Sequence, residues 1–181
     1  MRMHNYLCLL ALFLTACGPT LVVHRNDQNK AILIRSPQPD AEDLAELQKK
    51  YGLSTVINLR GADIIEDPYI SWHVEEKTFC NQNNITYIYM DLNDGTIPPS
   101  EDDISLYLHI MNQDIFHPVL IHCQAGIHRT GFFAALYRIQ FNGWSAGRAI
   151  KEMESHWYNF SISDRSAIKE YLRKYKRREL D

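Results

Sequence analysis

Residues 119–133 read VLIHCQAGIHRTGFF, a run that fits neither a continuous helix nor a continuous strand. From Pro118 to Ile121 the residues are apolar and β-prone, and from Gly131 to Gln140 apolar residues recur at helical spacing. The eight residues Cys123 to Thr130 therefore form a turn from strand into helix. A turn of this kind points successive backbone N–H groups inward. Together with the positive end of the following helix they make an anion cradle sized for a phosphoryl group. A cysteine in that field is favoured as the thiolate, its nucleophilic form. Arg129, six residues after Cys123, closes the turn with a planar guanidinium that grips two phosphate oxygens at once, which a lysine cannot do. Gly126 permits the tight backbone path. A lone cysteine after a strand would read as a small buried hydrophobe. Gly, Arg, Thr and Gly at these offsets favour the nucleophile instead.

The run HCQAGIHRTG resembles the His-Cys-x5-Arg-Ser/Thr-Gly loop of the cysteine-dependent protein tyrosine phosphatase superfamily. Sulfur transferases of the rhodanese type, the nearest competing use of a cysteine in an anion loop, generally have a shorter loop. The resemblance implies a phosphatase that needs no metal or other cofactor and works through a phosphocysteine. In it Cys123 attacks phosphorus, and the amides from Gln124 through Ala125, Gly126, Ile127 and His128 to Arg129 hold the phosphate oxygens. The Thr130 hydroxyl hydrogen-bonds the departing thiolate, and His122 braces the loop backbone. A satisfied core histidine is an equally good reading of His122. The eight histidines show no metal-ligand spacing with Cys or carboxylates.

A thiolate displaces an alcohol or phenol from phosphorus only if the departing oxygen is protonated, so a general acid is needed on a second element. Asp91, Asp94, Asp102 and Asp103 all precede the strand that delivers Cys123. Asp102 and Asp103 fall in the first turn of a helix, where carboxylates favour the dipole, and Asp91 continues a strand's alternation. Asp94 lies in a loop. The segment NDGTIPP, Asn93 to Pro99, resembles the acid loop of dual-specificity and related phosphatases, with one extra residue between Gly95 and Pro98. That resemblance makes Asp94 the acid; a simple Asp-Gly turn is the duller alternative.

Before this domain stands MRMHNYLCLLALFLTACGPT, with Arg2, an apolar stretch from Leu7 to Leu14 and small residues before Cys17. The layout is that of a signal peptide, too short to span as a transmembrane helix. Leu14-Thr15-Ala16-Cys17 resembles the bacterial lipobox, which implies cleavage after residue 16 and lipidation of Cys17. The expectation is an exported, membrane-anchored lipoprotein facing the periplasm, with residues 17–30 as a polar tether and 31–181 as the catalytic domain. Removing the signal takes Cys8 with it and leaves Cys17, Cys80 and Cys123, which is no disulfide framework. Cys80 reads as a buried cysteine on a helix, with a resolving-thiol role as the alternative.

Within the domain, Ala31 to Arg35 and Thr55 to Arg60 read as strands around a helix from Asp40 to Tyr51 that Gly52 stops. A second helix, about 71–83, leads into a strand over Ile85 to Leu92. Ser100 with Asp103 three later marks a capping box that opens a helix to about Asn112. Helices are expected over 131–142, 145–155 and 163–178, with the basic run RKYKRR in the last turns of the final one. This order indicates an α/β fold, a short central sheet flanked by helices, in agreement with the superfamily's fold. A net charge of −3 gives no reason to expect nucleic acid.

The expected partner is a phosphorylated protein or small phosphate ester. The chain lacks the length of large tyrosine phosphatases, so a small dual-specificity-like site acting on phosphotyrosine or aryl phosphate is the first expectation. The His-Arg-Thr-Gly end of the loop also resembles phosphatases of inositol pyrophosphates, which keeps an inositol polyphosphate as second substrate class. A catalytically weak phosphate-binding module is the third reading.

Overall fold

Short apolar runs buried on both faces build the centre of the molecule, the pattern of a parallel sheet covered by helices on both sides. The computed structural model describes residues 19–60, 71–92, 98–156 and 166–180, apart from the side chains of residues 71 and 72. Five strands, β1 (Leu21–Arg25), β2 (Ala31–Ser36), β3 (Thr55–Asn58), β4 (Thr86–Tyr89) and β5 (Val119–His122), form one sheet in the order β1-β2-β5-β3-β4. β1 is antiparallel to β2, and the other pairs are parallel. β5 lies in the middle, with His122 in register with Ser36 on one side and Asn58 on the other. The carboxyl ends of three strands therefore surround the point where Cys123 leaves the sheet.

Strand residues alternate between two cores, as the two-residue period requires. Leu33, Ile57, Val119 and Ile121 face a large cluster, with α3 (Glu101–Met111), α4 (His128–Gln140), α5 (Ala146–Ser155) and α6 (Ser166–Lys174). Ile34, Val56 and Leu120 face a smaller one with Leu44 and Leu47 of α1 (Ala41–Tyr51) and Cys80 of α2 (Ser71–Gln82). Two helix ends follow their local chemistry. Asp40 and Asp43 form a capping box at the start of α1, and Gly52 ends it with a positive φ of 66°. Ser100 and Asp103 form the second capping box, at the start of α3.

Three expectations need correction. Residues 21–25, read as part of a polar tether, are an edge strand whose Val23 is buried, because β2 offers LVVHR an open row of backbone partners. α4 begins at His128 rather than Gly131, since the Gly131 N–H already bonds the Ile127 carbonyl at 2.8 Å. The basic run ends the helix only in part: Arg173 and Lys174 form the last turn of α6, which stops at Lys174, and the following residues fold back over α4. There the Gln140 side chain accepts from the Arg178 N–H (2.9 Å) and the Tyr175 hydroxyl (2.6 Å), while Arg178 reaches Glu101 (2.5 Å).

Candidate active site

The early start of α4 changes the reading of the loop. Cys123 to Ile127 forms the turn proper, and His128, Arg129 and Thr130 occupy the first helical turn. Amides of a first turn have no partner within their own helix and carry the positive end of its dipole. They are the donors an oxyanion would meet. Cys123 is 2% exposed, at the base of this arrangement. The rear of the loop is held by the end of β2. The Gln38 N–H donates to the Gln124 carbonyl at 3.0 Å, and the Arg35 guanidinium donates to the Gly126 carbonyl at 2.6 Å. Gly126 has a φ of 67°, and a Cβ there would lie 2.5 Å from the Ser36 oxygen and the Pro37 nitrogen. No other residue type fits that contact.

Arg129 is anchored by backbone. Its Nη1 donates to the Leu92 carbonyl at 3.0 Å and to the Arg60 carbonyl, one from the end of each neighbouring chain segment beyond β4 and β3. One guanidinium nitrogen is thus committed to the scaffold, which aims the rest of the planar group. Thr130 is fully buried, and its hydroxyl finds no hydrogen-bond partner among the described residues.

His122 is placed differently from the brace that the resemblance implied. Its Nε2 meets Glu76 Oε1 of α2 at 2.5 Å, both side chains being buried. Glu76 Oε2 accepts from Asn58 (2.9 Å), the Tyr87 hydroxyl (3.2 Å) and Gln38 (3.4 Å). Burial, and then the Glu76 charge, push the Tyr87 hydroxyl far up, which keeps it a donor. His73 Nδ1 lies 2.9 Å from the same hydroxyl. Behind the loop there is therefore a buried polar cluster, centred on Glu76, that ties α2 to β3, β4 and β5. The sequence signals neither Glu76 nor Arg35, because each looks like an ordinary charged residue of its element until the sheet is assembled.

Of the remaining candidates, Asp94 and Cys17 lie outside the described residues. Asp91 is exposed past the end of β4, and Asp103 is engaged in the cap of α3, accepting from the Ser100 N–H and hydroxyl. Cys80 is fully buried on α2, as expected, and burial pushes its thiol up to about 12, followed by the effect of Glu76. That chemistry suits a packed core residue and not a resolving thiol.

A largely parallel sheet with a cysteine-to-arginine loop at the carboxyl end of its central strand defines a phosphatase-type α/β protein. Over residues 21–170 the chain matches the family described as "DSP-PTPase phosphatase fused to NAD+ Kinase", and it belongs to that family. It is 29% identical over 139 residues to the dual specificity protein phosphatase TpbA of Pseudomonas aeruginosa, a match that covers 77% of this chain and 56% of TpbA. The chain thus spans little more than half the length of that relative. A crystal structure of a cysteine-to-serine TpbA in complex with phosphotyrosine is similar with a TM-score of 0.57 and 25% identity, covering 79% of each chain. The catalytic core of the PP-IP phosphatase SIW14 of S. cerevisiae shares the fold, with a TM-score of 0.64 and 21% identity over 80% of each chain.

Proposed function

We propose that this chain is a phosphoric monoester hydrolase of the cysteine-dependent, dual-specificity type that acts on phosphotyrosine or aryl phosphates. The observation that carries it is the loop itself: Cys123 buried beneath first-turn amides, with Arg129 held by the Leu92 and Arg60 carbonyls. In this reading the Cys123 thiolate attacks phosphorus in line, forming the P–S bond as the P–O bond breaks. The loop amides and Arg129 take the charge of the equatorial oxygens. Asp94 gives its proton to the departing oxygen. Water then attacks the phosphocysteine, Asp94 takes the water's proton, and the Thr130 hydroxyl receives the leaving thiolate with a hydrogen bond. Phosphotyrosine in the related TpbA complex supports the substrate class.

The test is turnover of p-nitrophenyl phosphate in the presence of a chelator. Cys123→Ser is expected to abolish turnover while vanadate still binds. Substantial activity in that variant, or activity lost to the chelator, would sink the mechanism. A panel of phosphotyrosine peptides against inositol polyphosphates decides between the first substrate class and the second.

The lipobox-like Leu14-Thr15-Ala16-Cys17 supports export and a lipid anchor at Cys17, on the periplasmic side of a bacterial membrane. Only Gly18, Pro19 and Thr20 then separate the anchor from β1, a reach of about 10 Å at full extension. The domain would sit against the lipid surface, not on a long tether. Mass spectrometry of the protein from its native membrane is expected to show a diacylglyceryl group on Cys17, and an intact Met1 terminus would refute the anchor.

A further inference from the structure

We propose that Arg35 is a positioning residue for the reaction, one that orients the Ile127 N–H as an oxyanion donor by pinning the Gly126 carbonyl from behind the loop. The inference rests on the phosphatase reading of this site. In a planar trans peptide the carbonyl oxygen and the amide hydrogen point in opposite directions. The Gly126 carbonyl shares its peptide with the Ile127 N–H, and the Gln124 carbonyl shares its peptide with the Ala125 N–H. Arg35 Nη2 holds the first carbonyl toward β2 at 2.6 Å, and the Gln38 N–H holds the second at 3.0 Å. Both amides are thereby turned away from β2, to the open side of the loop where the phosphoryl group would sit.

The contact is a specific one, a buried guanidinium aimed at a single loop carbonyl. Arg35 is 3% exposed, an unusual place for a guanidinium, in register with Ile121 of β5 and one residue before the Ser36–Pro37 backbone on which Gly126 rests. Burial holds the guanidinium's pKa below its ordinary value, an effect that the charges of Cys123 and then Glu152 offset only in part. Glu152 is itself held by Arg138 at 2.8 Å, and His156 at the end of α5 lies within the field of Arg35. A buried cation so placed adds positive potential behind the thiolate as well as a donor to the loop.

The experiment compares Arg35→Met and Arg35→Lys with the unaltered protein, measuring kcat and KM for p-nitrophenyl phosphate, the affinity for vanadate and the urea midpoint. Deleting an oxyanion donor costs about 10²- to 10³-fold in kcat, so misaiming one in Arg35→Met is expected to cost about 10- to 100-fold. KM should move less than about threefold, and vanadate, which mimics the five-coordinate phosphorus, should weaken in step with kcat/KM. Arg35→Lys, which keeps the charge and one donor, should fall between the two. A folded Arg35→Met with unaltered kcat and vanadate affinity overturns the proposal. So does a loss of kcat with vanadate binding unchanged, or the failure of both variants to fold, which would make Arg35 a purely structural residue. An unaltered protein that hydrolyses no phosphate ester, yet binds vanadate with an affinity that falls in Arg35→Met, would defeat the phosphatase reading and leave only the orientation of the Ile127 N–H by Arg35 standing.

Discussion

Asp94 carries the sharpest test of the proposed chemistry, because a general acid matters in proportion to how badly the departing oxygen needs a proton. Asp94→Asn is expected to lower kcat for alkyl phosphates by about 10²- to 10⁴-fold and for an activated aryl phosphate much less. Asp91→Asn is the control; a larger, leaving-group-dependent loss there would move the acid to the exposed position beyond β4. Glu76 tests a different kind of residue. Its carboxylate gathers His122, Asn58, Tyr87 and Gln38 inside the fold, so truncation leaves several buried polar groups without their partner. Glu76→Ala is expected to destabilise the protein by about 3–5 kcal/mol, the usual cost of removing one member of a buried pair. Urea denaturation measures it, and a loss below about 1 kcal/mol would mean that the network relaxes or takes up water.

Among the elements, β1 has the least obvious task. It covers the open edge of β2, the strand whose end supports the loop through Arg35 and Gln38. A chain beginning at Ala31 is expected to lose at least about 2 kcal/mol, the worth of burying Val23 alone, and to self-associate through the bared edge. Urea midpoints together with light scattering check this; an unchanged monomer of full stability would show that β1 is dispensable. The strand escaped notice in the sequence because LVVHR is short and sits between polar residues, although Asn26 and Asn29 build the turn that leads from it into β2. α1 and α3 were readable for the opposite reason. Asp40 with Asp43, Gly52, and Ser100 with Asp103 act within one helical turn, so their signal needs nothing from the rest of the chain.

In the molecule as a whole, four histidines spread over different elements share one property. Burial is the largest influence on His24, His73, His117 and His156, and it holds each below the ordinary imidazole value. As pH falls through about 6.5, the unfolded chain protonates these groups before the folded protein does, so the unfolded state binds more protons and stability drops. Glu101 and Glu170, which are held low mainly by hydrogen bonds from Tyr171 and Lys174 respectively, lose their contribution only in the more acidic carboxylate range. The urea midpoint should therefore be lower at pH 5.5 than at pH 7.5. A flat midpoint across that window would refute the histidine account, and His117→Gln should reduce the slope.

Local, chemical features were legible along the chain: the strand, the cysteine turn and the helix of residues 119–140, the capped helices α1 and α3, and the burial of Cys80 on a helix. Each is written in residues close along the chain, where spacing and side-chain type are enough to define the backbone. Tertiary structure alone decided which distant groups make the turn usable. Arg35 meets Gly126 across 91 residues of sequence, Arg129 is anchored on carbonyls 37 and 69 residues before it, and His122 pairs with Glu76 rather than with the loop. It also decided that His128, Arg129 and Thr130 wind into α4 and that the chain beyond Lys174 becomes a strap. Backbone carbonyls carry no sequence signature, and a buried charge looks like any surface charge until its partner arrives. The candidate nucleophile could be read from one motif, whereas the shape of the loop around it depends on the order in which β2, β5 and β3 lie side by side.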